Sequence, residues 1–166
     1  MRLPFEFYQQ PALTLAPLLL GKFLCRRIDS DIMRLAITEV EAYCGKTDTA
    51  CHTRAGKTTR NSPTYEPGGI AYIYLCYGIH NMLNVVVSGQ NEPEAVLIRG
   101  VEGIIGPGRL TKAMQIDRGL NRVSFIESDV LWLEDGPPRT YTTSSRVGIS
   151  YASAEDQKKP WRFISW

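Results

Sequence analysis

Glu39 and Glu41 sit in a stretch, Leu35 to Tyr43, whose other residues are mostly the apolar and β-branched types of a strand. A carboxylate in such a setting is costly unless it is ion-paired, hydrogen-bonded or put to chemical use. Side chains two apart on a strand point the same way, so Glu39, Glu41 and Tyr43 are expected on one face. One glutamate there could act as a general base towards water. Two could form a carbohydrate-hydrolase pair, roughly 6.5–7 Å apart by strand rise alone and so within the inverting range. For either residue alone, a solvated position at a sheet edge is the plainer alternative.

Three further groups of residues could do chemistry. His52 lies in a polar loop with Arg54, Lys57 and Arg60. That combination is either a solvated basic loop or a phosphate-facing surface with a ring able to stack on a base. Tyr72 and Tyr74 share a strand face, which usually means packing. Tyr77 precedes Gly78 at an expected hairpin tip, where a large ring could wedge into a base stack. Finally, Gly106-Pro107-Gly108 opens a cationic segment with Arg109 and Lys112. Free N–H groups at a helix start suit a phosphate, and an ordinary helix start with surface cations reads the same way.

The elements that must position these residues are legible in outline. Residues 11–21 begin with Pro11, are rich in Leu and Ala and stop at Gly21, which predicts a helix kinked at Pro17. Residues 22–28 and 34–43 read as strands joined by the polar turn at 29–31. From Cys44 to Gly69 the apolar periodicity vanishes, and so long a stretch without it is usually functional or disordered. Residues 70–89 read as two strands turning at Gly78, and 94–103 as another. Residues 106–116 read as a helix and 130–135 as a short strand, while 145–151 and 160–165 read as strands or extended ends. Adjacent strands outnumber helices, so the expected class is α+β with a largely antiparallel sheet.

Size and composition narrow the options. The chain has 166 residues, enough for one ordinary domain, taken as residues 1–166. Its net charge is +2, so any nucleic-acid affinity must come from a local patch. No apolar run reaches transmembrane length, and the first ten residues lack a signal-peptide core, so an intracellular protein away from membranes is expected. Cys25, Cys44, Cys51 and Cys76 lack the spacing of a zinc ribbon or finger and are expected as reduced thiols, with no metal.

Read in order, T-E-V-E-A-Y-C-G-K-T-D-T-A-C-H-T-R, R-N, P-G-G-I-A-Y-I-Y-L-C-Y-G-I-H-N-M-L-N-V-V, A-V-L-I-R-G-V-E-G, G-P-G-R-L-T-K-A-M and R-V-G-I-S-Y-A resemble the alkyladenine (3-methyladenine) DNA glycosylases. The resemblance runs from about residue 10 to the C-terminus. It implies a curved sheet with a protruding hairpin and flanking helices. It also implies a monofunctional enzyme that extrudes damaged purines from double-stranded DNA and hydrolyses the N-glycosidic bond, without a cofactor and as a monomer. By the same resemblance Glu41 is the general base, and Arg99 and the Val147 carbonyl help hold the attacking water. Tyr43 stacks on one side of the base and Tyr74 on the other. The His52 backbone N–H reads the purine edge, Asn84 crowds the amino group of guanine, and Tyr77 fills the vacated space. Arg54, Lys57, Arg60, Arg109 and Lys112 are the expected phosphate contacts. The family's connection between V-E-G and G-P-G is longer than the Ile104-Ile105 found here, and the chain stops soon after P-W-R-F. Both departures bear on DNA affinity and leave the matched pocket intact.

The implied chemistry suits these residues. A 3- or 7-alkylated purine is cationic and leaves easily, so one carboxylate acting on water through an oxocarbenium-like transition state suffices. Hypoxanthine is neutral and needs a proton as well, whose donor the sequence does not show. A cationic base between Tyr43, Tyr74 and His52 gains roughly 0.5–2 kcal/mol per ring. The rival readings are the Glu39/Glu41 carbohydrate hydrolase, which has no need of a basic loop, and a non-catalytic nucleic-acid-binding module, which has no need of Glu41.

Overall fold

One strand organises the molecule. In a computed structural model that describes residues 1–166, β2 (Asp31–Tyr43) is long enough to serve two parts of the sheet. Its first half pairs with β1 (Phe23–Ile28) through a tight turn with Asp29 at φ 54. Its second half pairs with β5 (Glu94–Val101) on one side and β9 (Arg162–Ser165) on the other. The register shifts on both sides of Glu39, a bulge of the kind that re-aims side chains.

The remaining strands extend this frame. β3 (Ala71–Cys76) and β4 (His80–Val87) form a hairpin next to β5, and β7 (Leu131–Glu134) adds beyond β1. β6 (Ile104–Ile105) folds back on β5, and β8 (Tyr141–Ser144) lies on β9. All pairings are antiparallel, and the sheet curls into a half-barrel flanked by α1 (Ala12–Leu19), α2 (Pro107–Ala113) and α3 (Ala154–Lys158). This is the α+β class expected. No helix is long and apolar enough to cross a membrane.

The core explains which way β2 faces. Ala12, Leu15, Ala16 and Leu19 recur at helical spacing and pack with Ile37, Val40, Ala42, Val96 and Ile98. Because Val40 and Ala42 point into that core, Glu41 and Tyr43 point out of the other face. Gly21 ends the α1 segment at φ +90, and a Cβ there would lie 2.0 Å from the Pro137 carbonyl oxygen. Pro17 falls in the last turn of a helix that ends two residues later, so it marks a stop more than a kink.

Several expectations need correction. Residues 145–151 are not a strand. Gly148 has φ +72, and the Val147 N–H is bonded to a side chain in place of a ladder partner. The strand of this region is β8, just upstream. α3 was not foreseen, although Ser153 caps it by accepting from the Asp156 N–H and Glu155 and Asp156 fill its first turn. The short 101–108 connection is an ordered hairpin, in which Val101 pairs with Ile104 and Gly103 turns at φ +81. The 44–69 segment is internally bonded. The buried Asn61 donates to the carbonyls of His52 (3.1 Å) and Gly56 (3.0 Å) and accepts from the Thr58 N–H (2.7 Å).

Candidate active site

The sheet register brings distant residues into one row. Tyr72 on β3 opposes Asn84 on β4, Asn84 opposes Leu97 on β5, and Leu97 opposes Glu41 on β2, which in turn opposes Arg162 on β9. Residues directly across antiparallel strands share a face. The row therefore lines one surface of the half-barrel, and Tyr43, Tyr74 and Arg99 flank it two residues away along their strands.

Glu41 has no accessible surface. Its Oε1 accepts from the Tyr43 hydroxyl at 2.9 Å and its Oε2 from the Val147 N–H at 2.6 Å. Arg99 Nη1 stands 3.7 Å from Oε1, beyond hydrogen-bond length. Burial raises the Glu41 pKa, against the opposing pull of Arg99, the Val147 N–H and the Tyr43 hydroxyl. A carboxylate has about four acceptor positions, so two hydrogen bonds leave part of its accepting capacity unused. Val147 meets Glu41 through its N–H, a contact separate from the water-holding role that the resemblance implies for its carbonyl. Glu39 is paired on its own account: its Oε1 accepts from Arg99 Nε at 3.3 Å and from Arg162 Nη1 at 3.0 Å.

Beside Glu41 lies a narrow aromatic pocket, lined among others by Tyr43, His52, Tyr72, Tyr74 and Asn84, with about 20 Å³ of open volume. That is room for a water and not for a purine, so the aromatic walls must part to admit a base. His52 and Tyr74 form one wall, with ring centroids 4.4 Å apart, and His52 Nδ1 meets the Tyr72 hydroxyl at 3.1 Å. Burial, with Arg60 and Arg54 nearby, lowers the His52 pKa to about 4, so the ring is neutral at pH 7. The His52 backbone N–H donates to no acceptor in the chain. Asn84 is fixed by its Nδ2, which donates to the carbonyls of Tyr72 (3.2 Å) and Met82 (3.3 Å). Arg146 lies over the Tyr43 ring at 5.0 Å, and Arg60 lies over Tyr74 at 5.2 Å.

The pocket opens into a wider cleft that shares Tyr43, His52 and Tyr74 and reaches Tyr77, Arg99, Arg109 and Val147. Tyr77 is 89% exposed at the hairpin tip. Arg60 and Arg109 line this cleft, and Arg54 lines an adjoining basin with His52, Arg60 and Tyr151. Lys57 and Lys112 are exposed but line neither; Lys57 instead lies over the Tyr65 ring at 5.3 Å. No group of three or more His, Cys, Asp and Glu side chains comes together to hold a metal ion.

Sequence reasoning passed over several supporting residues. Arg146 is buried in a two-pronged pair with Asp48 (Nη1–Oδ2 2.6 Å, Nη2–Oδ1 3.0 Å) and is stacked between Tyr43 and Trp161. Asp48 also accepts from the N–H groups of Cys44 and Ala50. Tyr151 lines the cleft and donates to the Ala50 carbonyl. Asp48 and Arg146 lie 98 positions apart, so only the fold shows them as a pair.

Comparison with known proteins fits this arrangement. The profile of the methylpurine-DNA glycosylases matches residues 6–105 and 103–165, two stretches that meet at the β5–β6 hairpin. A protein of Borreliella afzelii (strain PKo), named "Putative 3-methyladenine DNA glycosylase", is 42% identical over 171 residues, covering 95% of this chain and 92% of its own. A Borreliella burgdorferi (strain ZS7) protein with the same name is 44% identical over the same coverage. One from Methanocella arvoryzae is 40% identical over 182 residues, covering 97% of this chain and 90% of its own. The chain belongs to the methylpurine-DNA glycosylase family, DNA-repair enzymes that act on alkylated purines in base excision repair.

Proposed function

We propose that this chain is a monofunctional glycosylase, a single domain acting as a monomer inside the cell. It turns a damaged purine out of duplex DNA and hydrolyses the N-glycosidic bond with water activated by Glu41. The observation that carries this reading is a fully buried, proton-avid carboxylate beside an aromatic pocket. Water attacks C1′ as the base departs, and the water proton passes to Glu41. The ionised carboxylate also stabilises the oxocarbenium character of the sugar. Arg99 and the Val147 carbonyl help hold the water, and the Val147 N–H fixes Glu41. No lysine is invoked, so the product is an abasic site with the strand intact.

In this reading the base enters between Tyr43 on one side and His52 with Tyr74 on the other. Because His52 is neutral, a cationic purine meets no imidazolium. Both tyrosines already carry a guanidinium on one face, which places the cation–π gain at the low end, about 0.5 kcal/mol per ring. The free His52 N–H reads the purine edge, Asn84 excludes guanine, and Tyr77 occupies the vacated stack. Arg54, Lys57, Arg60, Arg109 and Lys112 contact phosphates, which position the duplex without reading sequence. The substrates are the cationic 3-methyladenine and 7-methylguanine, and the neutral hypoxanthine and 1,N6-ethenoadenine, whose departure also takes a proton onto the base from a general acid.

The pairing of Glu39 with two guanidiniums weighs against the carbohydrate-hydrolase alternative, in which one carboxyl must hold a proton. The test is incubation with duplexes carrying one 7-methylguanine, hypoxanthine or ethenoadenine, followed by chromatography of the released base. Release of free base, with strand breakage only after alkali, is expected. Intact duplex after prolonged incubation would leave the binding-module reading in its place.

A further inference from the structure

Two carboxylates compete here for one arginine. Arg99 Nε is hydrogen-bonded to Glu39 Oε1 at 3.3 Å, while its Nη1 stops 3.7 Å short of Glu41 Oε1. Glu39 is itself anchored by Arg162 from β9, at 3.0 Å, and is almost fully buried. The bulge that brackets Glu39 is the backbone feature that sets its position beside β9 and β5. We propose that Glu39 is a positioning residue: it holds Arg99 off Glu41, so that Glu41 Oε1 keeps an acceptor position free for water.

The proposal rests on Glu41 being the base, and it accounts for a carboxylate that the catalytic reading leaves unused. If Arg99 closed onto Glu41, it would occupy that position and stabilise the ionised form, weakening the base. Other groups face Glu41 as well: Tyr43 from its own strand, Tyr74 from β3, and Arg146 with the Val147 N–H from the 145–151 segment. None of these is hydrogen-bonded or ion-paired to the Glu39 carboxylate. Arg99 is the only side chain ion-paired with both carboxylates.

The size of the effect follows from the distance. Shortening the Arg99–Glu41 separation from 3.7 Å to about 2.8 Å, at an effective dielectric of roughly 20, shifts Glu41 by about one pH unit. Glu39→Gln keeps the side-chain shape and removes the charge that detains Arg99. In the full chain with 13C-labelled glutamate carboxyls, NMR titration should show Glu41 titrating lower by at least that unit. In an Arg99→Gln background the same Glu39→Gln change should move it about one pH unit less, because only the direct charge effect remains. Arg162→Gln should move Glu41 the other way, since Glu39 then holds Arg99 more strongly. Equal shifts with and without Arg99, or no shift at all, would overturn the proposal. The acid limb of the base-release profile is then read in the same variants. If the NMR shift occurs and the limb does not follow it, Glu39 acts as stated and Glu41 is not the base.

Discussion

Tyr77 is the residue for which fold and function make opposite demands. It projects from the β3–β4 turn with φ +52, followed by Gly78 at φ +69, and the Ile79 N–H closes the turn on the Cys76 carbonyl. Two successive positive φ values are what a type I′ turn needs, and they favour Asn, Asp or Gly. A tyrosine in the left-handed region bears roughly 1–2 kcal/mol of strain. Its ring, 89% exposed, recovers almost none of that through burial. Tyr77→Gly relieves the strain but costs roughly 0.5–1 kcal/mol through the greater entropy of its unfolded chain, so the variant should be as stable as the parent or about 1 kcal/mol more stable. Tyr77→Ala keeps the strain and should lie within about 0.5 kcal/mol of the parent. On DNA both lose stacking of about 1–3 kcal/mol, a fall of roughly 5- to 150-fold in the flipping equilibrium. Ethenoadenine is quenched while stacked, so its fluorescence in the duplex reads that equilibrium, and thermal melting reads stability. Base release from an already flipped nucleotide should hardly change, because Glu41 is untouched. Flipping within twofold of the parent in both variants would refute the wedge role, and so would a melting point well below it.

Other outcomes follow from the same geometry. Because burial raises the Glu41 pKa, base release should fall with decreasing pH along a limb above the ordinary glutamate range of about 4.3, whereas His52 titrates near 4. A limb at or below the ordinary glutamate value would contradict this. The linkage signs oppose each other. Glu41, raised in the fold, contributes stability at low pH that is lost as pH rises through its folded pKa, so Glu41→Gln should melt at or above the parent at pH 8. His52, lowered in the fold, contributes stability above about 6.5 that is lost as pH falls towards about 4, and His52→Gln should flatten that decline in melting-temperature scans. Asn84→Ser should enlarge the pocket and raise excision of undamaged guanine, read as guanine released from normal duplex; no increase would remove Asn84 from the selectivity role. Asn61→Ala leaves the half-buried His52 and Gly56 carbonyls without their donor and should cost about 1–2 kcal/mol in denaturant unfolding; a loss under 0.5 kcal/mol would contradict its bracing role.

How much of this was legible in the sequence depended on the range of the forces involved. Alternation on β2, the turn at Gly78 and the Leu/Ala spacing of α1 are local patterns, and they predicted their elements to within a few residues. Residues 145–151 misled because Val and Ile there suggested a strand, while the backbone is bent by Gly148 and committed to Glu41. The short α3 had a cap and acidic first turn but too few apolar residues to show a period. The Glu39–Glu41–Tyr43 face was predictable from strand period alone. The role of Glu39 as a partner of Arg99 and Arg162, and the burial of Arg146 against Asp48, depend on registers between strands far apart in the chain. The polar 44–69 segment concealed its order because its bonds run from side chains such as Asn61 to backbone and leave no apolar periodicity.

The most direct test of the account is single-turnover release of 7-methylguanine from a duplex carrying one such lesion, comparing the parent with Glu41→Gln. The variant keeps the side-chain shape and one accepting oxygen, for the Val147 N–H, while its NH2 can donate to the Tyr43 hydroxyl oxygen. It should bind and flip the lesion as the parent does while releasing base at least 10²-fold more slowly, the lower end of what a positioned general base contributes. Release within tenfold of the parent, with binding intact, would show that the buried carboxylate is not the base and that the central claim is wrong.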